Sequence, residues 1–331
     1  MMRTDVLRSD PLPWLLELDP ANPAVRYFTL RDLLDRPKDD PELRQAWVDI
    51  MTTGPVPAIL AAQHPDGYWV KPGTGYSPKY RATGWQIIFL AELGVDPADE
   101  RVKRGCEYLL SHTLTTIGAF SVYQPPVPSG AVHCLNGNLL YALSGLGYAD
   151  DPRVRAAFDW LARAITGEEG VLYYKSGTVG PGFACGVNLG QPCGWGATKA
   201  LKALSAVPRD QRTPSMQRAI EVAVEFLLSR DPAVADYPYT ERVSSSWFKF
   251  GFPLSYWSDV LETTAVLAEL GYSGDPRLAD AVQYILGKQN AQGRWTLENA
   301  LNGKMWVDIE KKGAPSKWVT LRALRVLKRI A

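Results

Sequence analysis

The stretch "GWQIIFLAELGVDPADERVKRGCEYLL", residues 84–110, decides the fold. Its opening run from Gly84 to Leu93 carries one charge, Glu92, so a helix formed there has no face made for water and belongs inside the molecule. Gly94 follows the last periodic residue and suits a left-handed helix cap, and the Asp-Pro pair after it starts a new helix. From Glu100 onward charged and apolar residues alternate with a period near 3.6, which predicts a helix half in water. The same plan recurs in "GNLLYALSGLGYADDPRVRAAFDWLARA" (137–164) and "ETTAVLAELGYSGDPRLADAVQYILGKQ" (262–289). Looser copies occupy residues 24–51 and 194–230, and a last inner-type helix, "SKWVTLRALRVLKRI", covers residues 316–330. Six inner helices result. Each helical pair buries its apolar face only against its neighbours, and six pairs can bend round until the last inner helix meets the first. The expectation is one all-α domain spanning residues 1–331, a closed double ring with short β-hairpin loops on one face. Residues 56–63 or the N-terminal stretch would supply the outer helix for the last inner one.

Composition narrows the function classes. Hydrophobic residues make up 46% of the 331 and charged residues 21%, enough apolar material for a large core. The 36 basic and 35 acidic side chains form no like-charged block, so a nucleic-acid partner is not expected. The apolar run from Trp14 to Leu18 is too short for a signal peptide, and no transmembrane stretch occurs, which points to the cytoplasm. Four scattered cysteines in a chain of this size do not make a disulfide framework; in a reducing compartment they point to metal or reactivity.

Two stretches share the pattern Q-x-x-x-G-x-W: "QHPDGYW" (63–69) and "QNAQGRW" (289–295). Both resemble the QW motifs of squalene-hopene cyclases and related terpene cyclases, in which the glutamine ties into backbone groups and the tryptophan packs over a neighbouring outer helix. With the repeats they make the chain similar to the α/α-toroid superfamily of terpene cyclases and protein prenyltransferase β subunits. The resemblance implies an (α/α)6 toroid and no particular reaction. Neither the D-x-D-D protonation motif nor the D-D-x-x-D diphosphate motif occurs, and the zinc-ligand spacing of the prenyltransferases is absent.

In such a ring the long loops that follow the outer helices gather over the end where the inner helices begin, and function is expected there. Candidate ligand contacts at that end are Tyr80, Trp85, Asn138, Trp195, Trp247, Tyr256, Trp257 and Trp318, with Tyr173 and Tyr174 nearby in the loops. An aromatic lining favours an apolar or cation-developing ligand; packing of the rim accounts equally for many of these rings.

His133 and Cys134 open the third inner helix, and Cys193 opens the fourth, with Cys185 in the loop before it. Adjacent helices bring these residues to one edge of the mouth, where helix N-termini favour thiolates. Three chemistries fit. Cys134, Cys185 and Cys193, with His133 or water, match a zinc site. Alternatively His133, Cys185 and Cys193 act directly as acid, base or nucleophile, in the manner of linalool dehydratase-isomerase, which has a similar fold. Or the cysteines only fill tight space. Asp259 and Glu262, three residues apart at the start of the fifth inner helix, share a face. Asp259 suits an N-cap as well as catalysis; Glu262, inside an apolar helix, needs a cation such as Lys199 or Lys317.

The function expected is therefore terpene-cyclase-like: lyase, isomerase or cyclase chemistry on a small apolar molecule, for instance an isoprenoid, in a central cavity. Two alternatives stay open: a toroid glycosidase or polysaccharide lyase using paired carboxylates such as Asp259 and Glu262, and a non-enzymatic, metal-stapled module for a lipid or peptide.

Overall fold

The structure, a computed structural model, describes residues 6–168, 179–237 and 244–330. In chain order its helices are α1 (Leu12–Leu16), α2 (Pro23–Phe28), α3 (Pro41–Thr52), α4 (Pro55–Ala61), α5 (Thr83–Glu92), α6 (Glu100–His112), α7 (His133–Leu143), α8 (Pro152–Thr166), α9 (Gly194–Ser205), α10 (Pro214–Leu228), α11 (Val260–Leu267), α12 (Ala279–Gly287) and α13 (Lys317–Ile330). The inner ring is α2, α5, α7, α9, α11 and α13, weakly charged except for α13 with its five basic residues, and the amphipathic α3, α6, α8, α10 and α12 lie outside them.

The turns work as their residues dictate. Gly94, Gly147 and Gly271 end inner helices at φ of 74°, 89° and 95°, where a side chain would be strained. Asp40, Asp151 and Thr213 each accept a backbone N–H at the start of an outer helix and are followed by proline at its first position. In the second pair the cap is Asp99, three residues beyond the Asp-Pro of the sequence pattern. Gly137 sets the closest approach in the ring: a Cβ there would meet the Lys199 carbonyl at 2.4 Å, so α7 and α9 pack backbone to backbone.

The ring closes. Trp318 Nε1 donates to Asn22 Oδ1 at 3.1 Å, Lys328 Nζ reaches Asp35 at 2.6 Å and Arg325 pairs with Asp32 at 2.5 Å, joining α13 to the first inner helix. Beside α13 the outer place is taken by α1, while α4 lies between α3 and α5. The two Q-x-x-x-G-x-W stretches make matching contacts: Trp69 and Trp295 are fully buried, and their indole N–H groups donate to Ile59 and Ile285 at 2.8 and 2.7 Å. Gln63 ties into the Arg101 carbonyl of α6 at 2.8 Å, and Gln289 accepts from the Arg8 N–H at 3.1 Å.

The β-hairpin loops expected at one face are reduced, among the described residues, to isolated bridges such as Ser121 with Ala131 and Ala184 with Pro192. Prolines at 125, 126, 128, 181 and 192 remove the donors that a longer ladder needs. Among the described residues no helix is long and apolar enough to cross a membrane.

Candidate active site

After α10 the chain turns back into the ring. Residues 250–255 are buried along their whole length, an apolar run with no charge to hold it at the surface. Inner-helix side chains pin it there. Asn138 Nδ2 donates to the Ser255 carbonyl at 2.8 Å, and Arg322 Nη1 donates to the Gly251 carbonyl at 2.5 Å. Phe252 stacks on Trp318 with centroids 3.8 Å apart and rings 8° from parallel. Tyr80 meets Trp257 edge-on at 5.9 Å. Among the described residues, these contacts fill the end where the inner helices begin.

The opening lies at the other end, which corrects the expectation of a mouth among the long loops. A cavity of about 1220 Å³ is lined by all the inner helices and by exposed short-turn residues such as Asp35, Pro97 and Asp150. Phe252, Leu254 and Trp318 line it on the side of the plug formed by residues 250–255, with Glu92, Tyr141, Lys202, Glu262 and Arg322 also in the lining; Arg31 and Arg325 each lie 4.7 Å from the centre of the Phe28 ring.

Of the candidate ligand contacts, Trp318 lines this cavity; Tyr80, Trp85, Asn138, Trp195, Trp247, Tyr256 and Trp257 do not. Trp85 and Trp247 are fully buried and donate to the Tyr76 and Pro232 carbonyls, both at 2.8 Å, so they hold loops in place. Trp195, Tyr256 and Trp257 are half-buried on the plugged end. Tyr173 and Tyr174 lie outside the described residues.

Glu262 is the centre of the wall. Its carboxylate receives Lys199 Nζ at 2.7 Å, Ser258 Oγ at 2.7 Å and Lys202 Nζ at 3.1 Å. Lys202 also reaches Glu92 at 2.9 Å, and its ammonium sits 4.4 Å from the centre of the Tyr141 ring. Burial pushes the Glu262 carboxyl up, but Lys199, Lys202 and Arg322 outweigh it and leave it at about 2. Burial likewise pulls Lys202 down, and Glu92 and Glu262 outweigh it and raise it, so both groups stay charged at neutral pH. For Lys199 burial is the larger effect and holds its ammonium below the ordinary lysine range. Lys317, the other candidate partner of Glu262, faces Asp19 at 3.3 Å instead.

Asp259 is an N-cap, accepting the Glu262 N–H at 2.7 Å, and its carboxylate also takes Arg322 in two bonds of 2.8 and 3.1 Å. That clasp aims Arg322 at the plug; Asp259 itself is sealed off and does not line the cavity.

The histidine and cysteines gather at the plugged end. Cys185 and Cys193 stand on the two sides of a short hairpin in which Ala184 faces Pro192, and Cys193 Sγ accepts Gly196 N at 3.4 Å as the cap of α9. His133 turns away: its Nε2 donates to the Gly180 carbonyl at 3.2 Å, its ring meets Phe183 edge-on, and burial pulls it down to about 4. None of the four lines the cavity. Among the described residues no group of three or more His, Cys, Asp and Glu side chains is placed to hold a metal ion.

No family model matches this chain, and no curated protein matches it. Among solved structures it is similar to an unsaturated glucuronyl hydrolase specific for heparin, at 12% identity and TM-score 0.50 over 94% of this chain and 85% of that one. The fold is the α/α toroid. Further similar structures are a protein from Actinoplanes (15% identity, TM-score 0.45, 93% of this chain and 90% of that one) and the type II terpene cyclase MstE from Scytonema (15%, 0.43, 94% and 88%). At these identities the likeness concerns the fold and leaves the reaction open.

Proposed function

We propose that the protein is a toroid enzyme that admits a small amphipathic molecule from the short-turn end and acts on it by lyase, isomerase or cyclase chemistry. The joint presence of aromatic rings and fixed charges in one cavity carries this reading. An apolar body of isoprenoid type would rest on Phe28, Phe252 and Trp318. An oxygenated head would meet Lys202, Glu262 and Arg322. Glu262 and Lys202 are fixed charges, suited to stabilising charge that develops on a substrate. Asp259 is then a positioning residue acting through Arg322, and His133, Cys185 and Cys193 have no contact with the substrate.

One observation favours a second reading. Glu92 and Glu262 flank the same ammonium at 2.9 and 3.1 Å, which puts two carboxylates in the lining of one cavity, the residue type that glycoside cleavage uses. An acidic saccharide would be the substrate in that case. Incubation with geraniol and farnesol, and in parallel with an unsaturated glucuronyl disaccharide, separates the two. Isoprenoid products found by gas chromatography and mass spectrometry, and lost in Trp318→Ala and Lys202→Met, support the first reading. Turnover of the disaccharide alone supports the second, and saturable binding without turnover of either would leave a binding module.

A further inference from the structure

Most charges in and behind the cavity lining are matched. Lys199 and Lys202 are balanced by Glu92 and Glu262, Arg322 by Asp259, Lys328 by Asp35, Arg329 by Glu269, and Asp150 by Arg155. Arg31 and Arg325 instead share a single carboxylate. Asp32 Oδ1 takes Arg31 Nε at 2.5 Å, and its Oδ2 takes Arg31 Nη2 at 3.1 Å and Arg325 Nη2 at 2.5 Å. Among the described residues neither guanidinium pairs with another acid, so two positive charges face one negative charge and one is left over. All three residues line the cavity, and both guanidiniums lie 4.7 Å from the centre of the Phe28 ring. Among the described residues Arg325 Nε is buried without a hydrogen-bond partner. Burial holds the Arg325 guanidinium below the ordinary arginine range; Asp32 offsets only part of this, and Arg31 presses the same way as burial. A surplus positive charge beside an apolar ring attracts an anion more strongly than it would in water.

We propose that Arg31 and Arg325 hold a carboxylate of the ligand, so that the molecule taken into the cavity is an amphipathic acid. This deepens the reading above and rests on it for the apolar part of the ligand. The rings supply a continuous path for that part. Phe252 stacks on Trp318 at 3.8 Å, and Trp318 meets Phe28 edge-on at 6.0 Å, so an apolar chain lying along them ends at the ring that both guanidiniums contact. A guanidinium presents paired N–H donors that match the two oxygens of a carboxylate. The surplus is one charge, which a carboxylate cancels; a phosphate monoester brings about −1.5 to −2 at pH 7 and would leave negative charge over beside Asp32. The carboxylate is thus a second polar group of the ligand, besides the oxygenated head that Lys202, Glu262 and Arg322 would meet.

Titration calorimetry of the full chain with farnesoate and with its methyl ester, which keeps the body and removes the charge, reads the contact. Farnesoate should bind about tenfold or more tightly than the ester at pH 7, and Arg31→Met should remove most of that preference while leaving ester binding within about twofold. Arg325→Met should act likewise. Its pair with Asp32 also ties α13 to the first inner helix, so circular dichroism checks that variant, and Arg31→Met, whose acid is its own neighbour in sequence, decides alone if it does not fold. Equal affinity for acid and ester, or a preference that survives Arg31→Met, overturns the proposal and leaves the isoprenoid reading in place. Farnesyl phosphate binding more tightly than farnesoate also overturns it, giving the pair to phosphate. Absence of binding by farnesoate and ester alike sinks the isoprenoid reading, and the unsaturated glucuronyl disaccharide, which carries its carboxylate on a sugar, then tests the arginines. Disaccharide binding that Arg31→Met weakens about tenfold supports the carboxylate site. Binding untouched by that change, or none, overturns it.

Discussion

Replacing Glu262 by glutamine tests the cavity wall most sharply. Lys199 is fully buried, and its 2.7 Å contact with Glu262 is the closest ion pair it makes, so Glu262→Gln leaves a buried ammonium facing an amide. Breaking a buried pair from one side costs about 3–5 kcal/mol. Unfolding entropy of roughly 2.1 cal/mol/K per residue gives about 0.7 kcal/mol/K for 331 residues, so the melting temperature should fall by about 4–7 °C at pH 7. The pH dependence gives an independent magnitude. Glu262 is held at about 2 in the fold against 4.5 in the open chain, a depressed carboxyl; its contribution is complete above pH 4.5 and lost as pH falls toward 2. That difference is worth about 3 kcal/mol, in line with the first figure. Scanning calorimetry at pH 7 and pH 3 reads both: the gap between wild type and variant should be full at the higher pH and much reduced at the lower. Lys199→Met combined with Glu262→Gln should recover part of the loss, because burial already disfavours the Lys199 charge. A variant melting within about 1 °C of wild type at pH 7, or a double variant less stable than the single one, would refute the reasoning.

Further outcomes follow from the same geometry. Trp318→Ala removes the ring stacked on Phe252 and should cost about 3–5 kcal/mol by calorimetry together with ligand binding, whereas Trp318→Phe should keep both. Asn138→Ala leaves the Ser255 carbonyl without its donor, so stability should drop by about 1–3 kcal/mol and hydrogen exchange should quicken in residues 250–257 ahead of the inner helices. Elemental analysis of the purified chain should find less than one zinc per molecule; stoichiometric zinc that disappears in Cys185→Ser and Cys193→Ser would restore the sulfur-rich metal site to consideration.

The ring was legible because its signals are local and repeat. A sparsely charged helix, a glycine and an Asp-Pro pair recur from Gly84 to Gln289, and periodicity separates inner from outer helices there. Closure followed from the likeness between the first and last inner helices. The site was less legible, since which end of a ring stands open depends on where one loop goes. A signal for that was present in "FGFPLS" at residues 250–255, six residues without a charge in a segment otherwise read as surface loop. The wall had a signal too. Glu92, Lys202 and Arg322 are charges in inner helices, and the rule that brought Glu262 and Lys199 forward applies to each of them. The places of Cys134 and Cys193 at neighbouring helix starts were readable; the turn of the His133 ring toward Gly180 was not, because it depends on where a distant loop carbonyl falls.

The central claim is that the toroid is plugged where its inner helices begin and takes its ligand from the end where they finish. A crystal structure with bound farnesol measures this directly. Density against Phe252 and Trp318, within reach of Lys202 and Arg322, is the expected result. Density at the opposite end, among Trp195, Tyr256 and Trp257 with the cavity empty, would contradict it.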